Sequence, residues 1–221
     1  MPRWDVVTFD CYGTLIDWEE GIGSAFENAA AAAGVEIHRS SVLDAWARME
    51  PQVQGESYRP YRDVLGETAS RIARHAGWSL PGDRRDFLAE SLPRWAPFPD
   101  TNAALGALAG AGCRLGVLSN VDDDLFAATR KRLAVAFDWV VTAEQVRAYK
   151  PAEAHFREAR RRIGNARWLH AAQSRFHDVS PARALGIPVA WVNRKGEPSE
   201  AGPTADFEVP DLASLAELVL G

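Results

Sequence analysis

Asp10 follows the apolar run Val6-Val7-Thr8-Phe9 and stands just before a tight turn at Gly13-Thr14. Ser119-Asn120 follows a second apolar run, and Gln173-Ser174 follows a third. Lys150 lies in the segment after a fourth, and His177-Asp178 come shortly beyond Ser174. Brought together, such groups can do nucleophilic or acid–base chemistry. A carboxylate attacks or takes a proton, an ammonium keeps it ionised, and a hydroxyl or imidazole orients it. Each residue also has a plain structural reading. Asp10 could be a solvated carboxylate at a strand end, and Lys150 a surface lysine. Ser119 could cap a helix starting near Asp122, and Thr14 could only stabilise its turn. Asp178 could be the N-cap before Val179-Ser180-Pro181.

These positions form one site only if the elements between them converge. Strand-like runs occur at 4–9, 114–118, 138–141, 167–171 and 188–192. Helical patterns at 101–111, 122–134, 152–163 and 179–186 alternate with the later ones. A short strand at 207–209 and a helix at 211–220 close the chain. This alternation predicts an α/β fold, a doubly wound parallel sheet with helices on both faces. Residues 17–96 break the pattern and carry helical stretches only, at 19–33, 41–50, 60–76 and 83–92. Gly34, Pro51, Gly55, Gly77, Pro81 and Gly82 punctuate them. The expected organisation is a core of residues 1–16 and 97–221 with an inserted helical cap domain at 17–96. Ligands of doubly wound sheets bind beyond the carboxyl ends of the strands. Asp10, Ser119, Lys150 and Ser174 would meet there, under the cap.

The ordered set Asp10-Cys11-Tyr12-Gly13-Thr14-Leu15, Leu118-Ser119-Asn120, Tyr149-Lys150-Pro151 and Gln173-Ser174-Arg175-Phe176-His177-Asp178 resembles the haloacid dehalogenase (HAD) superfamily over nearly the whole chain. Tyr12 followed by Gly-Thr-Leu looks like its L-2-haloacid dehalogenase branch. The resemblance implies a Rossmann-like core and a nucleophilic Asp10 that forms an ester with a substrate carbon. Phosphatases of the superfamily carry a second Asp at the position of Tyr12. A phosphate ester needs that acid, because an alkoxide leaves poorly until protonated. A halide leaves without a proton and needs donors and a dry pocket. The same phosphatases hold Mg2+ through carboxylates at the positions of Tyr12 and Gln173, so no metal and no other cofactor is expected.

The resemblance gives Asp10, Thr14, Ser119, Lys150 and Asp178 catalytic roles and sets Tyr12, Asn120, Arg48, Ser174 and His177 around the substrate. Asp178 would orient Lys150 or activate the water that opens the ester, and His177 is the other candidate base. A cap arginine would meet the substrate carboxylate and the halide. Arg48 is matched by its neighbour Trp46, although the family has Arg directly after that Trp and Ala47 stands there. Arg59 and Arg62 are the rivals. Phe156 replaces a family Tyr, so one hydroxyl is missing. Trp18, Trp46 and Tyr12 would wall the halide or pack the cap on the core. The implied reaction converts short 2-haloalkanoic acids to 2-hydroxy acids; the alternatives are a phosphatase with an altered acid or a weakly catalytic anion- or partner-binding protein.

The bulk properties are those of a globular chain: 221 residues, 47% hydrophobic and 25% charged. A net charge of −5 argues against a nucleic-acid partner. Cys11 and Cys113 fit neither a zinc spacing nor a disulfide framework. No signal-like start and no apolar run of membrane length is present, so a cytoplasmic location without membrane association is expected. An apolar patch on the cap helices would support a homodimer.

Overall fold

The computed structural model describes residues 2–80, 85–198 and 204–221. Pro81, Gly82 and the first residues of the helical stretch at 83–92 lie outside the described residues. Six parallel strands form one sheet: β1 (Val6–Phe9), β2 (Arg114–Ser119), β3 (Trp139–Thr142), β4 (Trp168–Ala172), β5 (Val189–Val192) and β6 (Phe207–Val209). Their order is β3-β2-β1-β4-β5-β6. β1, with β-branched residues and a phenylalanine and no exposed side chain, pairs with β2 on one side and β4 on the other. That reversal of strand order opens the crevice in which such sheets bind ligands. It puts Asp10, Ser119 and Gln173 at three adjacent strand exits.

The helices are α1 (Trp18–Ala33), α2 (Arg39–Gly55), α3 (Tyr61–His75), α4 (Phe87–Ser91), α5 (Thr101–Gly110), α6 (Asp123–Thr129), α7 (Ala143–Val146), α8 (Ala154–Ile163), α9 (Ser180–Ala184) and α10 (Leu212–Leu220). The chain crosses to α1 and returns after α4 along paired backbone. Asp17 N donates to Ala96 O at 2.9 Å and Phe98 N to Leu15 O at 3.0 Å. α1 starts on the Asp17 carboxylate, which accepts from Glu20 N. It stops at Gly34, whose φ of 69° is left-handed backbone that glycine adopts without strain.

Two sequence-based expectations change here. Pro51 does not end α2. The helix runs through it to Gly55, and the missing proline N–H leaves the Ala47 carbonyl without its intrahelical donor. No apolar patch marks the cap either: among the described residues the large exposed hydrophobics are Phe176 and Leu220, and neither is on α1–α4.

The cap is tied to the sheet layer by an unusual helix cap. Pro60 at the N-cap of α3 has no side chain to offer. Asp122, at the start of α6, supplies the acceptors instead: Tyr61 N donates to Oδ1 at 2.7 Å and Arg62 N to Oδ2 at 2.9 Å. Tyr149 Oη donates to Arg59 O at 2.8 Å beside it. A carboxylate at a helix N-terminus satisfies free N–H groups and complements the helix dipole. Asp122→Ala should therefore lower unfolding free energy by about 1–2 kcal/mol, read as a shifted midpoint in urea. An unchanged midpoint would show that this cap contributes nothing to stability.

Candidate active site

Lys150 is the centre of the site. Its ammonium is buried and donates to Asp10 Oδ1 at 2.9 Å, to Asp178 Oδ1 at 2.7 Å and to Leu118 O at 2.8 Å. Its backbone is clamped by Asn120, whose Oδ1 accepts from Lys150 N at 2.7 Å while Nδ2 donates to Lys150 O at 3.1 Å. Thr14 Oγ1 donates to Asp10 Oδ2 at 2.9 Å and accepts from Gln173 N at 2.9 Å, so it both orients Asp10 and joins two strand exits. The Asp10 carboxylate is thus fixed through both oxygens.

Two carboxylates share one ammonium, and their environments separate them. Burial and the nearby Asp178 charge push the Asp10 carboxyl above its ordinary range, against the pull of Lys150 and Thr14. Burial also opposes ionisation of Asp178, but Lys150 and His170 outweigh it and hold Asp178 at about 2. Burial works against the Lys150 ammonium too, and the two carboxylates raise its pKa despite that. Lys150 therefore stays charged.

Asp178 belongs to a π turn (Arg175–Val179), not to an N-cap. The capping residue is Ser174, whose Oγ accepts from His177 N at 3.0 Å, because its own extended backbone precedes the turn. Asp178 Oδ1 accepts from Lys150 and pairs with His170 Nε2 at 3.0 Å. Asp178 Oδ2 is buried without a protein partner. His170 Nδ1 lies 2.9 Å from Thr8 Oγ1, which accepts from Trp168 Nε1 at 2.7 Å. If Thr8 donates onward, His170 carries its proton on Nε2 and supports Asp178. Ser119 does not cap α6. Its Oγ is buried without a protein partner, and the residue lines the same cavity as Asp10.

The cavity measures ≈ 250 Å³. Asp10, Ser119, Asn120, Lys150, Ser174, His177 and Asp178 line its floor. Tyr12, Trp18, Trp46, Tyr61 and Trp95 form apolar walls. Tyr12 Oη is bonded to Thr129 Oγ1 at 2.8 Å, so the side chain two positions after Asp10 presents ring rather than acid. Burial lowers the pKa of His177, which is neutral near pH 7 with Nδ1 at 3.1 Å from Ser174 Oγ.

None of the three candidate arginines reaches this cavity. Arg48 is exposed on α2, Arg59 pairs with Glu56, and Arg62 pairs with Asp124 at 2.6 Å. Phe156 is buried against the His170 ring at 5.2 Å. Sequence reading missed His170, Trp95 and Glu50, a buried carboxyl in the cap wall of the cavity. His170 had one signal, a polar residue inside an apolar strand run. A divalent metal does not suit the floor: the Lys150 ammonium already bridges Asp10 and Asp178, and positions 12 and 173 bring a phenol and a carboxamide.

The sequence matches the model of the haloacid dehalogenase-like hydrolases over residues 4–194. The chain belongs to that family. Among hydrolases of this family it is similar to an (S)-2-haloacid dehalogenase of Pseudomonas sp. (strain YL), with 30% identity over 96% of this chain and 93% of the relative. It is 28% identical to haloacetate dehalogenase H-2 of Moraxella sp. (strain B) over 99% of both chains. Its fold is that of L-2-haloacid dehalogenase from Xanthobacter autotrophicus with chloropropionic acid covalently bound: TM-score 0.84, 22% identity, 98% of each chain covered. The parallel sheet and the carboxylate at the exit of β1 are thus a haloacid dehalogenase-like core. Among the described residues no helix is long and apolar enough to cross a membrane.

Proposed function

We propose that this hydrolase cleaves the carbon–halogen bond of short 2-haloalkanoic acids and releases 2-hydroxy acids through an ester on Asp10. The observation that carries the reading is the Asp10 carboxylate, fixed by Lys150 and Thr14 at the floor of a small aromatic-walled cavity with no acid at position 12. The Asp10 oxygen attacks C2 from the side opposite the halogen. The carbon–halogen bond breaks, halide leaves with the electron pair, and configuration inverts. Water then adds to the Asp10 carbonyl carbon and the ester C–O bond to Asp10 breaks, so the product keeps the former carboxylate oxygen. Asp178 Oδ2 is the acceptor that orients this water. Ser119 Oγ is a free donor to the carboxylate or ester. Names of the relatives with full-length similarity agree with this substrate class.

Halide release from chloro-, bromo- and fluoroacetate and from both enantiomers of 2-chloropropionate tests the reading beside a generic phosphatase assay. Activity should persist in excess EDTA, because Lys150 already supplies the positive charge at the two carboxylates. Loss of turnover restored by Mg2+ alone, together with phosphate release, would replace this reading with a phosphatase.

A further inference from the structure

The cap wall of the cavity contains a carboxyl where a cation was expected. Glu50 on α2 is 8% exposed and lines the cavity with Ala47, Pro51 and Gln54 from the same helix face. Both donors that reach it use one oxygen. Tyr61 Oη donates to Oε1 at 3.2 Å, and Gln54 Nε2 donates to Oε1 as well. No donor among the described residues reaches Oε2. Both hydrogen bonds favour the ionised form and burial opposes it, while Oε2 is left free to carry a proton with Oε1 accepting as the carbonyl oxygen. Lys150, the one basic ammonium or guanidinium among the described residues of the lining, is committed to Asp10 and Asp178.

Resting on the haloacid reading above, we propose that Glu50 in its neutral form recognises the substrate carboxylate, donating its Oε2 proton to it. An O–H donor to a carboxylate forms a short, charge-assisted bond, about twice as strong as a neutral one. Ionised Glu50 would instead repel the anion across the cavity. Burial raises the Glu50 pKa to about 7, so the two states exchange near neutrality. The sign follows: the binding form is present below that pKa and is lost as pH rises through it. The other groups facing Glu50 hold their charge over this range or have a separable effect. Tyr61 and Tyr149 are pushed well above 10 by burial and stay neutral. Across the cavity His177 is neutral, Lys150 is cationic and Asp178 is anionic. Ionisation of Asp10 also disfavours an anion, and a Glu50 variant separates the two.

The test is calorimetric binding of propionate and lactate to the whole protein between pH 6 and 9, with KM for (S)-2-chloropropionate and for 2-chloropropionamide alongside. We expect the carboxylate Kd and the acid's KM to rise about tenfold per pH unit above pH 7, with uptake of about one proton on binding at pH 8. The amide, which is neutral, should show a flat KM. Glu50→Gln should make carboxylate affinity independent of pH, and Glu50→Ala should weaken it at pH 6. A pH-independent Kd in the wild type, a slope that survives Glu50→Gln, or turnover of the amide in preference to the acid would overturn the proposal. Halide release with a flat KM would remove Glu50 from recognition and leave the dehalogenase reading standing. Glu50-dependent carboxylate binding without halide release from any haloacid would do the reverse.

Discussion

In a single turnover in 18O water with enzyme in excess, the heavy oxygen should enter the Asp10 carboxylate, and the hydroxy acid should leave largely unlabelled. Two mechanisms give the same inverted product. In one, Asp10 attacks carbon and water later opens the ester at the aspartyl carbonyl. In the other, Asp10 is a general base and water attacks C2 itself. The geometry favours attack by Asp10. Its carboxylate is fixed at both oxygens by Lys150 at 2.9 Å and Thr14 at 2.9 Å, which orients it for displacement. Lys150 also stabilises the ionised form against burial. Asp10→Asn removes the nucleophile's charge while nearly keeping its shape, and should lower turnover by at least ~10⁴-fold. Loss of activity alone does not separate the mechanisms, whereas the label does. Mass spectrometry of the peptide containing Asp10 reads it directly, and labelled product with an unlabelled peptide would establish the general-base route.

Asp178→Asn should stall the second chemical step. Asp178 Oδ1 is occupied by Lys150 and His170, and Oδ2 is the acceptor without a protein partner, on a residue that lines the cavity. An amide there accepts poorly from an attacking water and adds donor hydrogens where an acceptor is needed. Ester hydrolysis should slow by about 10²–10⁴-fold, the range for loss of one acid–base group. Ester formation should slow less, since Lys150 still contacts Asp10. Intact-mass measurement after addition of (S)-2-chloropropionate should therefore show the protein carrying a covalent adduct. An inactive variant without adduct would place Asp178 in ester formation, acting through Lys150. Wild-type turnover would remove it from catalysis, and the neighbouring His177 imidazole would become the base to test.

The chain determined its own sheet and the residues at the floor of the cavity. Largely apolar runs that end abruptly in Asp10, Ser119 and Gln173 are buried parallel strands with polar residues at their exits, and the alternation of strands and helices allows few topologies. The floor was legible because Asp10, Ser119, Asn120 and Ser174 follow such runs, Lys150 precedes Pro151, and His177 and Asp178 come a few residues beyond Ser174. The cap side was not, because its chemistry depends on which helix face turns inward. Along α2 each residue rotates by about 100°, so Trp46, Ala47, Glu50, Pro51 and Gln54 share the cavity face and Arg48 turns to solvent. That periodicity was present in the sequence, but it became visible only once the helix was seen to continue through Pro51. Other features had no local signal. Asp122 caps α3 from 60 residues away, His170 supports Asp178 from within a strand, and Tyr12 spends its hydroxyl on Thr129. These are contacts between segments distant in the chain, set by packing the cap on the sheet, and only the tertiary structure decides them.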